Sequence, residues 1–442
     1  MTGKIALHTI SLGCPKNLVD TERMLGILGE SFSPVDSMEQ SEVVLINTCG
    51  FIQSAVEESV QTILEVSRDI EELPRRPVLA VTGCLLARYG QELRTQLPEV
   101  DLWIPLQEQE KVGSYLAWAL KMGDDLTDSA GEGTGGMAQR RISTGPSYAY
   151  LKISEGCNRS CSFCLIPRIR GSLRSRPIGS LKEEARSLVA QGVREIVLVG
   201  QDITEYGRDL DGEQDLVALL RELASLPGLA WLRPMYLYPA GITDNLLVGF
   251  RELSPPVLPY FDIPLQHAHA DILRKMGRPF STQPYKVVDK VRSFFPEASL
   301  RTTLLTGFPG EEESHFQVLA EFVRQVRFQH MGVFSFFPEE GVRAARYSGQ
   351  VPQGIKEARK QELMRIQAEI SGQIHSEMEG KTMSVLVDRS NPEWPTLYEG
   401  RAWFQAPEVD GICYVSGESL SAGDMVQARI EEAKTYDLIG LA

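Results

Sequence analysis

Between residues 4 and 122 the sequence alternates short β-branched runs with amphipathic stretches, and this alternation limits the fold more than any other feature. The runs KIALHTISL, EVVLIN and PVLAVT have the continuous apolar character of strands buried in a parallel sheet. NLVDTERMLGILGE, IQSAVEESVQTILEVSRDI and RYGQELRTQL carry helical periodicity and return the chain between strands. A doubly wound α/β domain is therefore predicted for residues 1–122. The stretch DDLTDSAGEGTGGMAQRR has no period and is rich in Gly, Ser and Asp, so residues 123–142 read as a flexible linker.

The alternation resumes over residues 143–375. Strand candidates YAYLKIS, EIVLVG, WLRPMYLY, YFDIPL, LRTTLLT and MGVFSF are interleaved with helical stretches such as SLKEEARSLVAQ and EESHFQVLAEFVRQ. About six βα units fit a partial or full parallel (β/α) barrel, whose reactive face lies at the carboxyl ends of its strands. After the polar helix EARKQELMRIQAEISGQIHSEMEG, residues 376–442 change character. MSVLVDR, LYEGRAW, GICYVSG and MVQARIEE are short and separated by turn residues, which predicts a small C-terminal antiparallel β-barrel.

Composition bounds the function. At 442 residues, 43% hydrophobic and 24% charged, the chain has enough material for several globular domains. No run of about 18 apolar residues occurs and the amino-terminal segment passes directly into a strand, so a cytoplasmic protein without a membrane span is expected. Seven cysteines in a reducing compartment point to metal ligation or catalysis rather than disulfides. A net charge of −14 argues against a broad grip on phosphate backbones.

Three of the cysteines lie in EGCNRSCSFC, where Cys157, Cys161 and Cys164 follow the strand YAYLKIS on one tight loop. Four-iron clusters take four anchors, so three leave one iron open to a ligand. The competing reading is a structural zinc site completed by His267 or His269, but no second C-x-x-C half is present. Cys14, Cys49 and Cys84 stand alone in sequence, 35 residues apart each time, in SLGCPKN, NTCGF and TGCLL. Each follows a predicted strand of the first domain, and in a doubly wound sheet such turns share one edge. A second three-thiolate cluster is the sharper reading; three buried apolar cysteines are the plainer one. Cys413, in the terminal barrel, is expected to be a packed core thiol.

C-x-x-x-C-x-aromatic-C, with Phe163 in the aromatic place, resembles the signature of radical S-adenosylmethionine enzymes. The resemblance implies that the open iron chelates S-adenosylmethionine, which is cleaved to a 5′-deoxyadenosyl radical able to take hydrogen from an unactivated carbon. With SLGCPKNLVDTE, NTCGFIQSAVEES and VTGCLLARYG added, the whole chain is similar to the methylthiotransferases, with a terminal barrel like a TRAM domain. That family implies two four-iron four-sulfur clusters, one held by Cys157, Cys161 and Cys164 and one by Cys14, Cys49 and Cys84. It also implies two S-adenosylmethionine molecules per product. Strand-end positions Gln201, Asp202, Arg301 and Thr303, with Phe163, are the cofactor contacts it suggests.

Two branches of the family differ in substrate: tRNA adenosine, or an aspartate of small-subunit ribosomal protein S12. CPKNLVDTE, CSFCLIPRIRGSLRSRP, YLYPAGIT, DIPLQHA and APEVDG resemble the ribosomal-protein branch, although VGQDITEYG departs from its commoner Thr-Thr-Ser pattern. The tRNA branch would show a Gln-Met-Asn type sequence after the first cysteine and Ser-Gly in place of His267-Ala268. Charge leads the same way: residues 376–442 hold five basic and twelve acidic residues, a formal −7 that repels nucleic acid and attracts a basic protein. Arg168, Arg170, Arg174 and Arg176 have no interleaved aromatics, which weakens an RNA-patch reading and leaves carboxylate binding or structural ion pairing. A tRNA-modifying enzyme, or an iron–sulfur RNA-binding scaffold without turnover, remain the alternatives.

Overall fold

The computed structural model describes residues 4–121 and 140–442. Of the predicted linker, 123–142, residues 123–139 lie outside them. The chain forms two compact units, one of residues 1–143 with 165–172, the other of 144–164 with 173–442.

The first unit is a five-stranded parallel sheet in the order β2-β1-β3-β4-β5, built from β1 (Ile5–Ser11), β2 (Phe32–Pro34), β3 (Val43–Thr48), β4 (Val78–Gly83) and β5 (Leu102–Ile104). Helices α1 (Pro15–Leu28), α2 (Gln53–Glu71), α3 (Cys84–Gln96) and α4 (Val112–Ala119) cover both faces. Strand pleating divides the sheet residues between them. Val43, Leu45 and Ala80 join Met24, Leu28 and Leu116 on one side. Val44, Ile46, Leu79 and Val81 join Ile63, Ile70 and Leu93 on the other. The doubly wound expectation holds, while β2 and β5, three residues each, are too short to show a period in sequence.

In the second unit, strands β6 (Tyr148–Lys152), β9 (Glu195–Val199), β10 (Trp231–Pro234), β11 (Tyr260–Asp262), β12 (Ser299–Thr306) and β13 (His330–Ser335) run parallel. They form two three-stranded sheets, joined by a bridge between Leu232 and Val257. Strands β6 and β13 do not pair, so the barrel is partial. Helices α6 (Ile178–Ala190), α7 (Leu216–Ala224), α8 (Asp244–Glu252), α10 (Pro284–Phe294), α11 (Glu313–Val326) and α12 (Gln353–Ser376) follow its strands. WLRPMYLY stops being strand at Pro234, which has no N–H to continue a ladder, and Tyr236 turns left-handed at φ 62°.

The terminal barrel is closed, in the order β14-β15-β16-β18-β17, from β14 (Thr382–Ser390), β15 (Leu397–Ala402), β16 (Cys413–Ser416), β17 (Met425–Ala433) and β18 (Leu438–Leu441). One correction applies: β16 and β18 pair in parallel, so the barrel is not wholly antiparallel. The sequence reading stopped at four strands because LIGL is a short run that a single turn separates from β17. Cys413 is fully buried in this barrel's core, as expected.

The loop from β15 to β16 closes the amino end of the partial barrel. Glu408 accepts hydrogen bonds from Tyr148 (2.9 Å) and Tyr150 (3.1 Å), while Asp410 accepts one from Tyr260 (2.7 Å). At the first residue of β9, Glu195 is fully buried between Arg233 (2.6 Å) and Arg401 (2.5 Å), and Arg401 also pairs with Asp388 (2.7 Å). Burial opposes ionisation of Glu195, but the two guanidinium groups outweigh it and hold the carboxyl below the usual range. Removing its charge strands buried cations. Glu195→Gln is expected to cost about 3–5 kcal/mol, read as a lower urea midpoint of the second unit at neutral pH. Because the folded value is depressed, this stabilisation is present above the ordinary glutamate range and disappears as pH falls through the folded value. The deficit of the variant should therefore shrink in acid; one that stayed constant with pH would contradict the ion-pair account.

Candidate metal centres

Each isolated cysteine sits at a carboxyl end of the first sheet. Cys14 is the N-cap of α1, Cys49 follows β3, and Cys84 opens α3. These turns are held by glycines that could not be otherwise. A Cβ on Gly13 (φ +90°) would stand 2.8 Å from Cys49 Sγ, and one on Gly83 (φ +107°) would stand 2.3 Å from the Thr48 carbonyl oxygen. A Cβ on Gly50 would meet the Cys84 carbonyl oxygen at 2.8 Å. The three turns thus touch one another, and the structure brings the three cysteines of the first unit to one place.

Asn17 and Arg170 complete that place. The fully buried Asn17 amide donates to the carbonyls of Leu12 (2.9 Å) and Thr48 (3.0 Å), and its Oδ1 lies 3.7 Å from Cys84 Sγ. Arg170, 3% exposed, donates to the same Oδ1 and to Asp20 (3.3 Å). Burial works against ionisation of Cys14, yet Lys16, Arg170 and backbone N–H groups of the first helical turn outweigh it and lower the thiol. Burial wins at Cys49, which is raised, and at Cys84, pushed up to about 11 despite Arg170. Among the described residues no three His, Cys, Asp or Glu side chains converge closely enough to share one metal ion. A four-iron cluster offers each thiolate a different iron and so accepts sulfurs set farther apart, and this all-sulfur donor set fits it.

In the second unit, Cys157, Cys161 and Cys164 lie on the loop after the short strand β7 (Ser154–Glu155), all three partly exposed. Ser162 anchors the loop: its N–H donates to the Met276 carbonyl (2.9 Å) and its hydroxyl to that of Lys275 (2.9 Å). The Arg159 N–H points at Cys157 Sγ (3.4 Å), whose thiol burial raises. Phe163 packs beside Met276, Leu305 and Phe308. Among the described residues, Ser154 Oγ and Gln201 Oε1, just past the carboxyl ends of β6 and β9, are buried without hydrogen-bond partners. Orphaned polar atoms at a barrel mouth fit a polar ligand bound there.

The other anticipated contacts are placed differently. Asp202 accepts from Thr204 and from Arg159 (2.8 Å), and Arg159 also pairs with Glu205 (2.5 Å) and lies 4.0 Å above the Tyr238 ring. Asp202 thus holds an arginine beside the cysteine loop. Arg301, third residue of β12, lies toward the barrel floor with its Nε 3.5 Å from Asp410; Thr303 shares that strand face two residues nearer the mouth. His267 is buried 3.4 Å from Glu311, and the His269 ring meets His315 edge-on, so both face partners other than the cysteine loop. The arginine run is not one patch. Arg168 and Arg174 are exposed, Arg170 serves the first unit, and Arg176 pairs with Glu184 (2.7 Å) in the second. Asn17, Arg159 and Tyr238 were not anticipated; only the Asn after CPK, inside an otherwise apolar-periodic helix, hinted at the first.

Comparisons with known proteins agree with this division. Residues 6–105 match the model described as "Uncharacterized protein family UPF0004", residues 151–323 the radical SAM superfamily and residues 380–442 the TRAM domain. The chain is 54% identical to the ribosomal protein uS12 methylthiotransferase RimO of Nitratidesulfovibrio vulgaris strain Hildenborough, covering 99% of this chain and 100% of that one. It is 50% identical to the protein of the same name from Lawsonia intracellularis (98% and 97%) and 41% to that of Geobacter sulfurreducens (99% and 98%). The fold resembles the radical S-adenosylmethionine methyltransferase TsrM of Kitasatospora setae, with a TM-score of 0.55 at 13% identity over 90% of this chain and 81% of that one.

Gly13→Ala tests the first centre. The added methyl cannot fit against Cys49 at this φ, so anaerobically reconstituted variant should hold about half the iron of the parent, the second-unit share remaining. Undiminished iron and acid-labile sulfide would show that the turn does not shape a metal site.

Proposed function

Because the chain belongs to the ribosomal protein uS12 methylthiotransferases of the radical SAM superfamily, we propose that it replaces a β-carbon hydrogen of an aspartate in ribosomal protein S12 by a methylthio group. The observation that carries this reading is the pairing of a three-cysteine loop at a partial-barrel mouth with a separate set of three strand-end cysteines in another unit. Cys157, Cys161 and Cys164 would hold one four-iron cluster and Cys14, Cys49 and Cys84 the other. When bound, the second-unit cluster with S-adenosylmethionine supplies the radical that removes hydrogen from carbon, and the first-unit cluster carries the sulfur that a second S-adenosylmethionine methylates.

The protein's own residues bind and orient. Gln201 Oε1 offers an acceptor and Ser154 Oγ a donor to the cofactor's polar groups, and Thr303 presents its hydroxyl on the strand face above Arg301. Asp202 and Glu205 fix the Arg159 guanidinium against Tyr238, which keeps a positive charge beside the Cys157 loop. Phe163, on that loop, packs its ring against Met276, Leu305 and Phe308 and so anchors the loop to the core. Hydrogen abstraction needs no protein base, and the structure assigns none.

The substrate is a basic ribosomal protein, and the terminal barrel's acidic excess supports it over tRNA. Asp388, Glu408 and Asp410 are committed to interactions inside the unit, so the remaining carboxylates supply that surface. No described helix is long and apolar enough to cross a membrane, and the reaction belongs in the cytoplasm, where ribosomal subunits are built.

Reconstituted, reduced protein incubated separately with S12 and with tRNA should add one methylthio group to an S12 aspartate and none to tRNA; addition to tRNA alone would reverse the substrate assignment. Cys161→Ala should release no 5′-deoxyadenosine. Cys49→Ala should still release it yet give no methylthiolated product, and if wild-type protein formed no 5′-deoxyadenosine the chain would be an iron–sulfur scaffold instead.

A further inference from the structure

Arg170, the second arginine of LIPRIRG, has no role in the chemistry above, yet it is a deeply buried cation near the first-unit cysteines. Residues 165–172 belong to the first unit although they directly follow Cys164 in sequence, and Arg170 is buried there. Its guanidinium donates to Asn17 Oδ1, the atom 3.7 Å from Cys84 Sγ, and to Asp20 at 3.3 Å.

Three thiolates on a four-iron cluster are already anionic in sum, and an anionic sulfur ligand on the open iron adds a further negative charge. A buried site tolerates such charge only when a fixed cation faces it. Asp20 neutralises part of the guanidinium from 3.3 Å, and the neutral Asn17 oxygen takes another N–H. Arginine suits the task because it stays protonated in any protein environment and its planar fork holds two acceptors in fixed directions.

We propose that Arg170 is a positioning residue of the first-unit sulfur site, held by Asn17 and Asp20 so that its fixed charge stabilises the anionic sulfur carried there. This rests on the assignment of Cys14, Cys49 and Cys84 as cluster ligands.

The test uses the full chain with Cys157, Cys161 and Cys164 replaced by Ala, leaving one cluster, reconstituted without oxygen. Iron content is measured first, and sodium methanethiolate is then titrated while the electron paramagnetic resonance of the reduced cluster is followed. Arg170→Gln should weaken methanethiolate binding at least about tenfold, equivalent to about 1.4 kcal/mol, and move the cluster's reduction potential to more negative values. Arg170→Lys keeps the charge without the fork, so it should retain iron and bind within about threefold of the parent. If Arg170→Gln loses its iron outright, Arg170→Lys decides: binding weakened tenfold there despite the retained charge overturns the proposal. Arg170→Gln protein that keeps its cluster and binds methanethiolate like the parent also overturns it, leaving the cysteine assignment intact. A parent that takes up no iron removes that assignment, and the role of Arg170 with it.

Discussion

The side chain of Asn17 occupies one crowded point in the first unit: its amide nitrogen donates to the ends of two turns, at Leu12 and Thr48, while its oxygen serves Arg170 beside Cys84. Its own carbonyl accepts from Asn47, which reaches on to Thr21. A single fully buried carboxamide thus connects the three segments that carry Cys14, Cys49 and Cys84. No other side chain of this length combines two donors with an acceptor, so an aspartate or a leucine here would leave turn carbonyls unpaired in the interior, at about 1–3 kcal/mol each. The sheet positions the turns to within a few ångströms; the amide and the close-packed glycines fix the remainder.

The second unit meets a different demand. A partial barrel has an open seam and two open ends, and only one end serves the cofactor. The other is filled by Trp403–Asp410 of the terminal barrel, whose main-chain carbonyls and carboxylates accept from the first residues of the core strands. Trp403 accepts from Arg233 (2.8 Å), and Phe404 from His330 (2.7 Å). Burial raises Tyr260 and lowers His330, so both favour their neutral forms, and the floor joins their hydrogen bonds to the buried ion pairs of Glu195 with Arg233 and Arg401.

Much of this was legible in the sequence because its signal is periodic or chemical. Long strands such as VVLINT and LRTTLLT declare themselves by continuous burial, and six cysteines at strand ends declare a chemistry. What escaped was short or relational. Strands Phe32–Pro34 and Leu102–Ile104 have too few residues for a period, and Leu438–Leu441 pairs in parallel with a strand that precedes it by some twenty residues, which no local pattern encodes. Arg301 sits at a strand position that read as barrel mouth, but β12 is eight residues long and its third residue points to Asp410 near the floor. Asp202 looked free to touch a ligand because its partner, Arg159, lies 43 residues away.

The floor also sets an order in time. Tyr148 opens the first core strand, and the Glu408 that completes its hydrogen bonding lies 260 residues further along the chain. At typical rates of synthesis this interval lasts roughly 13–50 s, during which the amino ends of the core strands wait without their acceptors. The first unit, apart from residues 165–172, is complete in sequence before that wait begins. The radical core is therefore the last part of the molecule to close. A nascent chain that has not yet delivered its terminal barrel leaves the barrel floor open, so the second unit is complete only once nearly all of the protein exists.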